Sequence, residues 1–285
     1  MGKEITLNLI TSKVFWSSLP LVIAEIAKRG YFVSIFDETN VPSASKLLDC
    51  DVLLDLSAII DISFYEDLDK EYERRKKLGL KLPLRVDEPI AVMNSMDKRK
   101  THKLLPEFAP ESYNLDGKNN VELINNFKND QFVIVKDPFG WQAKGVFRMS
   151  PKEAIEKYST ASDLIVQKYI PFTDGVGRIM TLNYKDDFEV MCAYLRIPKA
   201  SWRTGEDDCT FKLVNVDKDL YNFAKEITTR SKIYLNAIDY IYSNGKYVML
   251  EVNVAPGLKD PYDEFHIDTP KQLFDHIERS LLTLK

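Results

Sequence analysis

The segment Asp239-Tyr240-Ile241-Tyr242-Ser243-Asn244-Gly245-Lys246-Tyr247-Val248-Met249-Leu250-Glu251-Val252-Asn253 holds two strand-like runs around an Asn-Gly turn. Glu251 and Asn253 are two apart on the second run, so their side chains project from one face of a strand. Two carboxylates and an amide oxygen on one face suit Mg2+, which is usually held by one or two carboxylates plus nucleotide phosphates. The other reading is the polar outer face of a hairpin, although Tyr247 and Met249 are not what a solvated face prefers. The metal reading constrains the turn. With Asn244-Gly245 as a two-residue type I′ loop, Asp239 falls opposite Leu250 and Glu251 points to the other face. A three-residue loop over 243–245, with Gly245 left-handed, makes Asp239 and Glu251 diagonal neighbours on one face. An odd-length loop is therefore expected.

Around this hairpin lie 285 residues, 45% hydrophobic and 29% charged, enough for one large domain or two to three subdomains with a real core. The net charge of −4 offers no global basic field, so nucleic acid is not expected as a partner. The basic stretch over 70–81 reads as a solvated helix end. Cys50, Cys192 and Cys209 form no CxxC pair, and three histidines give neither zinc-ligand nor Cys/His nucleophile spacing. The sparse cysteines fit a reducing compartment. The first residues lack a signal-peptide apolar core, and no run is long enough to span a membrane. A soluble cytoplasmic protein is expected, with no membrane association; its oligomeric state is not legible, and a homo-oligomer is allowed.

Strands over 5–10, 31–36 and 51–56, with an amphipathic helix over 19–29, predict a parallel α/β domain in roughly the first ninety residues. This region has neither GxGxxG nor GxxxxGK[ST], so nucleotide binding must come from elsewhere. Residues 83–89, bounded by prolines, read as a linker, followed by a helix over 96–105. An α+β region follows: strands 132–136, 145–149 and 164–169, with a helix over 151–158. The last third gives strands 179–184 and 190–197, a helix over 221–231, the hairpin, and a closing helix over 270–284.

Lys136 closes an apolar strand and is followed by Asp137-Pro138-Phe139-Gly140-Trp141-Gln142-Ala143-Lys144-Gly145. A lysine at a strand end beside a two-glycine loop can meet phosphates with a point charge and several backbone N–H groups. Lys98, after Asp97 at a helix start, can add a second contact.

Taken in order, these pieces resemble the ATP-grasp superfamily, in the branch of glutathione synthetase and the ribosomal-protein glutamate ligases. Residues 89–98 resemble its helix-start lysine motif, and 133–148 its lysine strand, flexible glycine loop and return strand. Residues 166–171 resemble the hinge whose backbone holds adenine, and 174–178 the segment after it. Arg196-Ile197-Pro198 resembles a substrate-side arginine motif. Asp239 with Leu250-Glu251-Val252-Asn253 and Pro256-Gly257 resembles the metal strand pair. The likeness covers about residues 85–258.

The resemblance implies an α/β and α+β chain: a parallel α/β pre-ATP-grasp domain over 1–93, a lid subdomain over 94–168, and a C-terminal subdomain with the metal site over 169–285. It implies ATP with one or two Mg2+ ions, Mn2+ being an acceptable substitute, on Asp239, Glu251 and Asn253. Nucleotide contacts fall on Lys98, Lys136, Gly140, Trp141, Gln142, Gly145, Gln167, Lys168, Tyr169, Ile170 and Asp174. Arg178, Arg196 and Arg203 are the implied catalytic arginines. The implied reaction is carboxylate activation by γ-phosphoryl transfer, then attack of an amine on the acyl phosphate. Its partners are a small-molecule or peptide carboxylate and an amine co-substrate. A small-molecule kinase on the same grip, or a nucleotide-binding module without turnover, are the alternatives.

The chain departs from the family pattern on the substrate side. After Arg203, Thr204-Gly205-Glu206-Asp207-Asp208 stands where an asparagine and a glycine pair are usual, and the interval from Arg196 to Arg203 is one residue short. The acidic run would favour a cationic or amine-bearing partner, or is simply a solvated loop. Val176 stands where an acidic residue often precedes the arginine, with Asp174 as a substitute for the ribose contact.

Overall fold

A computed structural model describes residues 4–57, 61–140, 145–172, 174–199 and 209–284. The chain opens with β1 (Thr6–Thr11), α1 (Leu19–Arg29), β2 (Phe32–Asp37), α2 (Ala44–Leu47), β3 (Val52–Leu56), α3 (Ile62–Lys77) and β4 (Leu84–Val86). These strands form a parallel sheet in the order β2-β1-β3-β4. Helix α1 begins with a proline in its first turn and stops at Gly30, left-handed at φ 68°; both signals were in the sequence. The basic end of α3 is ion-paired locally, Arg74 and Arg75 both meeting Glu71.

One expectation fails here, and one helix is additional. Residues 83–89 are not a linker: Leu84 and Val86 are buried in β4, where they extend the sheet beside β3. The helix expected over 96–105 is α5 (Lys98–Leu104), and a helix that was not expected, α4 (Pro89–Met96), precedes it. Asp97 separates them, in an extended conformation and with its carboxylate accepting the Arg99 N–H. An N-cap aspartate starts a new helix because it satisfies an orphan amide.

The middle of the chain contains β5 (Ser112–Asp116), α6 (Asn120–Asn125), β6 (Val133–Lys136), β7 (Val146–Met149), α7 (Pro151–Tyr158) and β8 (Ser162–Lys168). Its antiparallel sheet runs β5-β8-β6-β7. One face, with Val133, Val135 and Val166, packs on Phe127, Ile124 and Ala154 from the helical side. Alternation sends Lys136 and Gln167 to the opposite face.

The last third supplies β9 (Val176–Tyr184), β10 (Asp187–Pro198), β11 (Cys209–Leu213), α8 (Lys218–Ser231), β12 (Leu235–Ser243), β13 (Lys246–Val254), α9 (Lys259–Phe265) and α10 (Thr269–Leu282). The five strands form an antiparallel sheet in the order β11-β10-β9-β12-β13. Ile179, Ala193 and Ile238 face a core shared with α8. Met180, Leu182, Leu235 and Ala237 face a second core shared with the parallel sheet, α1 and α10. Asp87, just beyond β4, accepts the backbone N–H groups of Tyr234 and Leu235, so the two sheets are also joined through one buried carboxylate. Among the described residues no helix is long and apolar enough to cross a membrane.

The hairpin differs from its expected form. Ser243 pairs with Lys246, so the loop is the two residues Asn244 and Gly245, both at positive φ (52° and 76°). That is the type I′ pattern favoured by Asn-Gly. Parity is restored within the strand instead: the ladder shifts between Asp239 and Tyr240, pairing Asp239 with Glu251 but Tyr240 with Met249. Leu250 is the extra residue of a β-bulge.

Candidate active site

Register places Tyr194, Arg178, Asp239 and Glu251 in one row across β10, β9, β12 and β13. Arg178 donates through Nε and Nη2 to the two oxygens of Asp239, at 2.6 and 2.8 Å, and Arg196 adds an Nη2 bond of 2.8 Å. Burial alone would raise the Asp239 pKa, but the two guanidinium groups outweigh it and bring the carboxyl down to about 2. Asp239 is thus ionised, with three of its roughly four lone-pair sites used. The Nδ2 of Asn253 donates to the Ala237 carbonyl at 3.2 Å. Only an amide NH2 can do so, which leaves Oδ1 as the free atom of that side chain. Two ionised or ionisable carboxylates and an amide oxygen fit a hard divalent cation that completes its shell with phosphate and water. Among the described residues no larger group of acids, histidines and cysteines offers a competing cluster.

Two close approaches fix the arginine rows. A Cβ at Gly175 (φ +106°) would stand 2.6 Å from the Arg196 carbonyl oxygen, and one at Gly177 would enter the Tyr240 ring at 2.2 Å. Glycine is required at both positions.

From the other side, Lys98 reaches the row: its Nζ lies 2.6 Å from the Gly140 carbonyl and 3.4 Å from Glu251 Oε2. Its backbone N–H donates to Pro138, at 3.1 Å, tying α5 to the start of the glycine loop. The base of that loop is closed by the Gly145 carbonyl, which accepts the Asp137 N–H, and Gly145 is left-handed at φ +72°. Lys136 is 5% exposed. Its burial, followed by the nearby charge of Lys98, lowers its pKa to about 7, with Glu251 opposing the shift. A buried lysine poised this way gains most when polyanionic phosphates replace lost hydration.

The hinge divides its residues. Gln167 is buried on the Lys136 face and its Nε2 has no hydrogen-bond partner. Lys168 points away: its side chain meets Asp130 and its N–H donates to the Glu111 carbonyl, so neither is offered to a ligand. Tyr169 packs edge-on against Phe132 and bonds Arg148 through its hydroxyl. Ile170 is half-buried, and Asp174 is exposed. Trp141, Gln142 and Arg203, with the acidic run 206–208, lie outside the described residues.

Two further residues belong to this neighbourhood. Tyr194 is fully buried, its hydroxyl has no partner, and it stands beside Arg178 in the row. The Nε of Arg196 is also buried and unpartnered. These are two unused donors at one end of the row, and a buried donor without an acceptor costs about 1–3 kcal/mol. Tyr194 could have been found from its spacing, two residues before Arg196 on a strand. His102, one helical turn after Lys98, is 8% exposed; burial and then Lys136 lower its pKa to about 3, so the ring is neutral. Its i,i+4 spacing from Lys98 was likewise legible.

The family model of the RimK-like ATP-grasp domain matches residues 95–277. A coenzyme gamma-F420-2:alpha-L-glutamate ligase of Methanococcus maripaludis is 26% identical over 204 residues, covering 64% of this chain and 66% of that protein. The match thus spans just under two thirds of that relative's length. Among solved structures, the ATP-grasp ligase PsnB complexed with a minimal precursor superposes with a TM-score of 0.73 at 15% identity, covering 98% of this chain and all of that one. The D-alanine–D-alanine ligase of Bacillus anthracis complexed with ATP gives 0.67 at 15% identity, with 98% of both chains covered. The VanG D-Ala:D-Ser ligase of Enterococcus faecalis gives 0.71 at 12% identity, covering 98% and 100%. At these identities the structures establish a common fold.

Proposed function

Because the chain belongs to the RimK-like ATP-grasp family, we propose that it is an ADP-forming carboxylate–amine ligase working through an acyl phosphate. One observation carries the reading: Lys98 and a pair of arginines converge on a single cross-strand carboxylate pair, Glu251 and Asp239. Lys98 and Lys136 bind the phosphates, and Gln167 with the hinge at 168–170 receives the base. Asp239, Glu251 and Asn253 hold Mg2+, which when bound neutralises charge on the transferring phosphoryl group. Arg196, whose Nε is free, together with the Tyr194 hydroxyl receives an oxygen of the acid substrate, while its Nη2 stays on Asp239. Donors placed there stabilise the carboxylate as it attacks and the oxyanion that forms when the amine adds. The names of the relatives support acids and amines of amino-acid or peptide type as substrates.

Hydroxylamine trapping tests the reading. With ATP, Mg2+ and a panel of amino acids, dicarboxylates and acidic peptides, at least one acid should give a hydroxamate and matching ADP. ADP release with phosphate retained on the acceptor would instead mark a kinase, and no acid-dependent ADP across the panel would reject the ligase.

A further inference from the structure

Helix α5 and the turn after it touch three consecutive residues of β13. Lys98 Nζ lies 3.4 Å from Glu251. His102 stands beside the backbone carbonyl of Leu250, which favours its charged form, yet Nε2 has no bond in hydrogen-bonding geometry. The Phe108 carbonyl accepts the Met249 N–H at 2.7 Å. These three residues are the bulge and its flanks. A bulge leaves backbone groups that the ladder cannot satisfy, and here α5 and its turn face them. The other nitrogen of the imidazole is engaged: Nδ1 lies 3.0 Å from Ser112 Oγ, on the lid-side sheet in the row of Gln167. If the Ser112 hydroxyl donates to Nδ1, the ring proton sits on Nε2 and faces the Leu250 carbonyl.

We propose that His102 is a positioning residue for the metal site: it bridges Ser112 to the Leu250 bulge and thereby holds Glu251 in line with Asp239. The imidazole spans between the sheet that carries Lys136 and the strand that carries Glu251. A small approach of α5 toward β13 completes the Nε2–H bond to Leu250. Because the ring is neutral, it does this without adding a third positive charge beside Lys98 and Lys136. The inference rests on the metal reading of Asp239, Glu251 and Asn253.

Mn2+ binding, followed by electron paramagnetic resonance at saturating ADP, tests it without turnover. Outer partners that orient metal ligands typically change metal affinity by about 10–100-fold. His102→Phe, which keeps a ring and removes both nitrogens, should weaken Mn2+ binding about tenfold. ADP binding in EDTA should stay within about twofold of the unmodified protein, because the nucleotide contacts are untouched. His102→Gln, which can still donate to Leu250, should recover most of the Mn2+ affinity. Should His102→Phe fail to fold, Ser112→Ala frees Nδ1 alone and should weaken Mn2+ binding a few-fold. Unchanged Mn2+ affinity in these variants overturns the inference, as does a loss matched by equal loss of ADP affinity in EDTA. If the unmodified protein binds neither ADP nor Mn2+, the ATP-grasp site reading itself falls, a result distinct from unchanged variants.

Discussion

Asp239 and Glu251 stand directly opposite each other across the β12–β13 ladder, although the turn between their strands has only two residues. A regular two-residue hairpin would place Leu250 there, so the bulge rather than the loop brings the carboxylates together. Turn and bulge are separable, and the turn can be weakened alone.

Gly245 sits at φ +76° with nothing within 4 Å of an added Cβ. Gly245→Ala therefore meets only conformational strain, about 1 kcal/mol. Urea unfolding should show that loss while Mn2+ affinity in the presence of ADP is retained. Loss of metal binding in this variant would mean that the loop, not the bulge, sets the register.

Asp239 is the counter-charge of two arginines. Asp239→Asn leaves both guanidinium groups without it, a loss of about 3–5 kcal/mol for a broken buried pair. The pKa of about 2 is below the ordinary 3.8. The carboxylate thus contributes stability that is present above the ordinary value and lost as pH falls through the folded one. The variant's acid limb should be flatter between about pH 4 and pH 2, as read by denaturant unfolding across that range.

Lys136 works in the opposite sense. Its folded pKa of about 7 lies below the ordinary 10.5. The unfolded chain holds more protons between these values, so this group makes stability rise with pH across that window, and its full penalty stands below pH 7. Lys136→Met should be more stable than the unmodified protein at pH 6, with the gap closing by pH 10, and should bind ATP more weakly. Lower stability at pH 6 would show that the lysine has a partner holding its charge.

Asp87 is pushed up to about 8, first by burial and then by Asp55, against the two amides it accepts from Tyr234 and Leu235. A folded pKa above the ordinary 3.8 means the folded chain holds the extra proton, so stability falls as pH rises from about 4 to 8. Asp87→Asn keeps an acceptor for both amides and should flatten that fall. An equally steep profile would place its cause elsewhere.

Local signals carried much of the architecture. Helices α1 and α7 fall on the expected residues, because proline at the start and a glycine or Ser150-Glu153 capping box marks each. Strand β4 was hidden, since a three-residue strand shows no period, and its pairing with β3 is a tertiary fact. The bulge was hidden for a related reason. Its freed amide at Met249 finds Phe108, an acceptor 141 positions earlier that no local pattern reveals. Of the candidate site, Asp239, Glu251, Lys98 and Lys136 were legible as a spaced series and come together in space. Tyr194 and His102 were not singled out: each stood at a legible spacing, from Arg196 and from Lys98, but that the hydroxyl and Nε2 lack partners shows only in the fold.

In the proposed reaction a carboxylate oxygen becomes phosphorylated in this site. Transfer of 18O tests it most directly: the acid that supports ADP release is labelled in its carboxylate, and the inorganic phosphate is analysed by mass spectrometry. An acyl phosphate requires one 18O in each phosphate formed, dependent on Mg2+ and lost in Asp239→Asn. Phosphate free of label, released alongside an amide product, would contradict it.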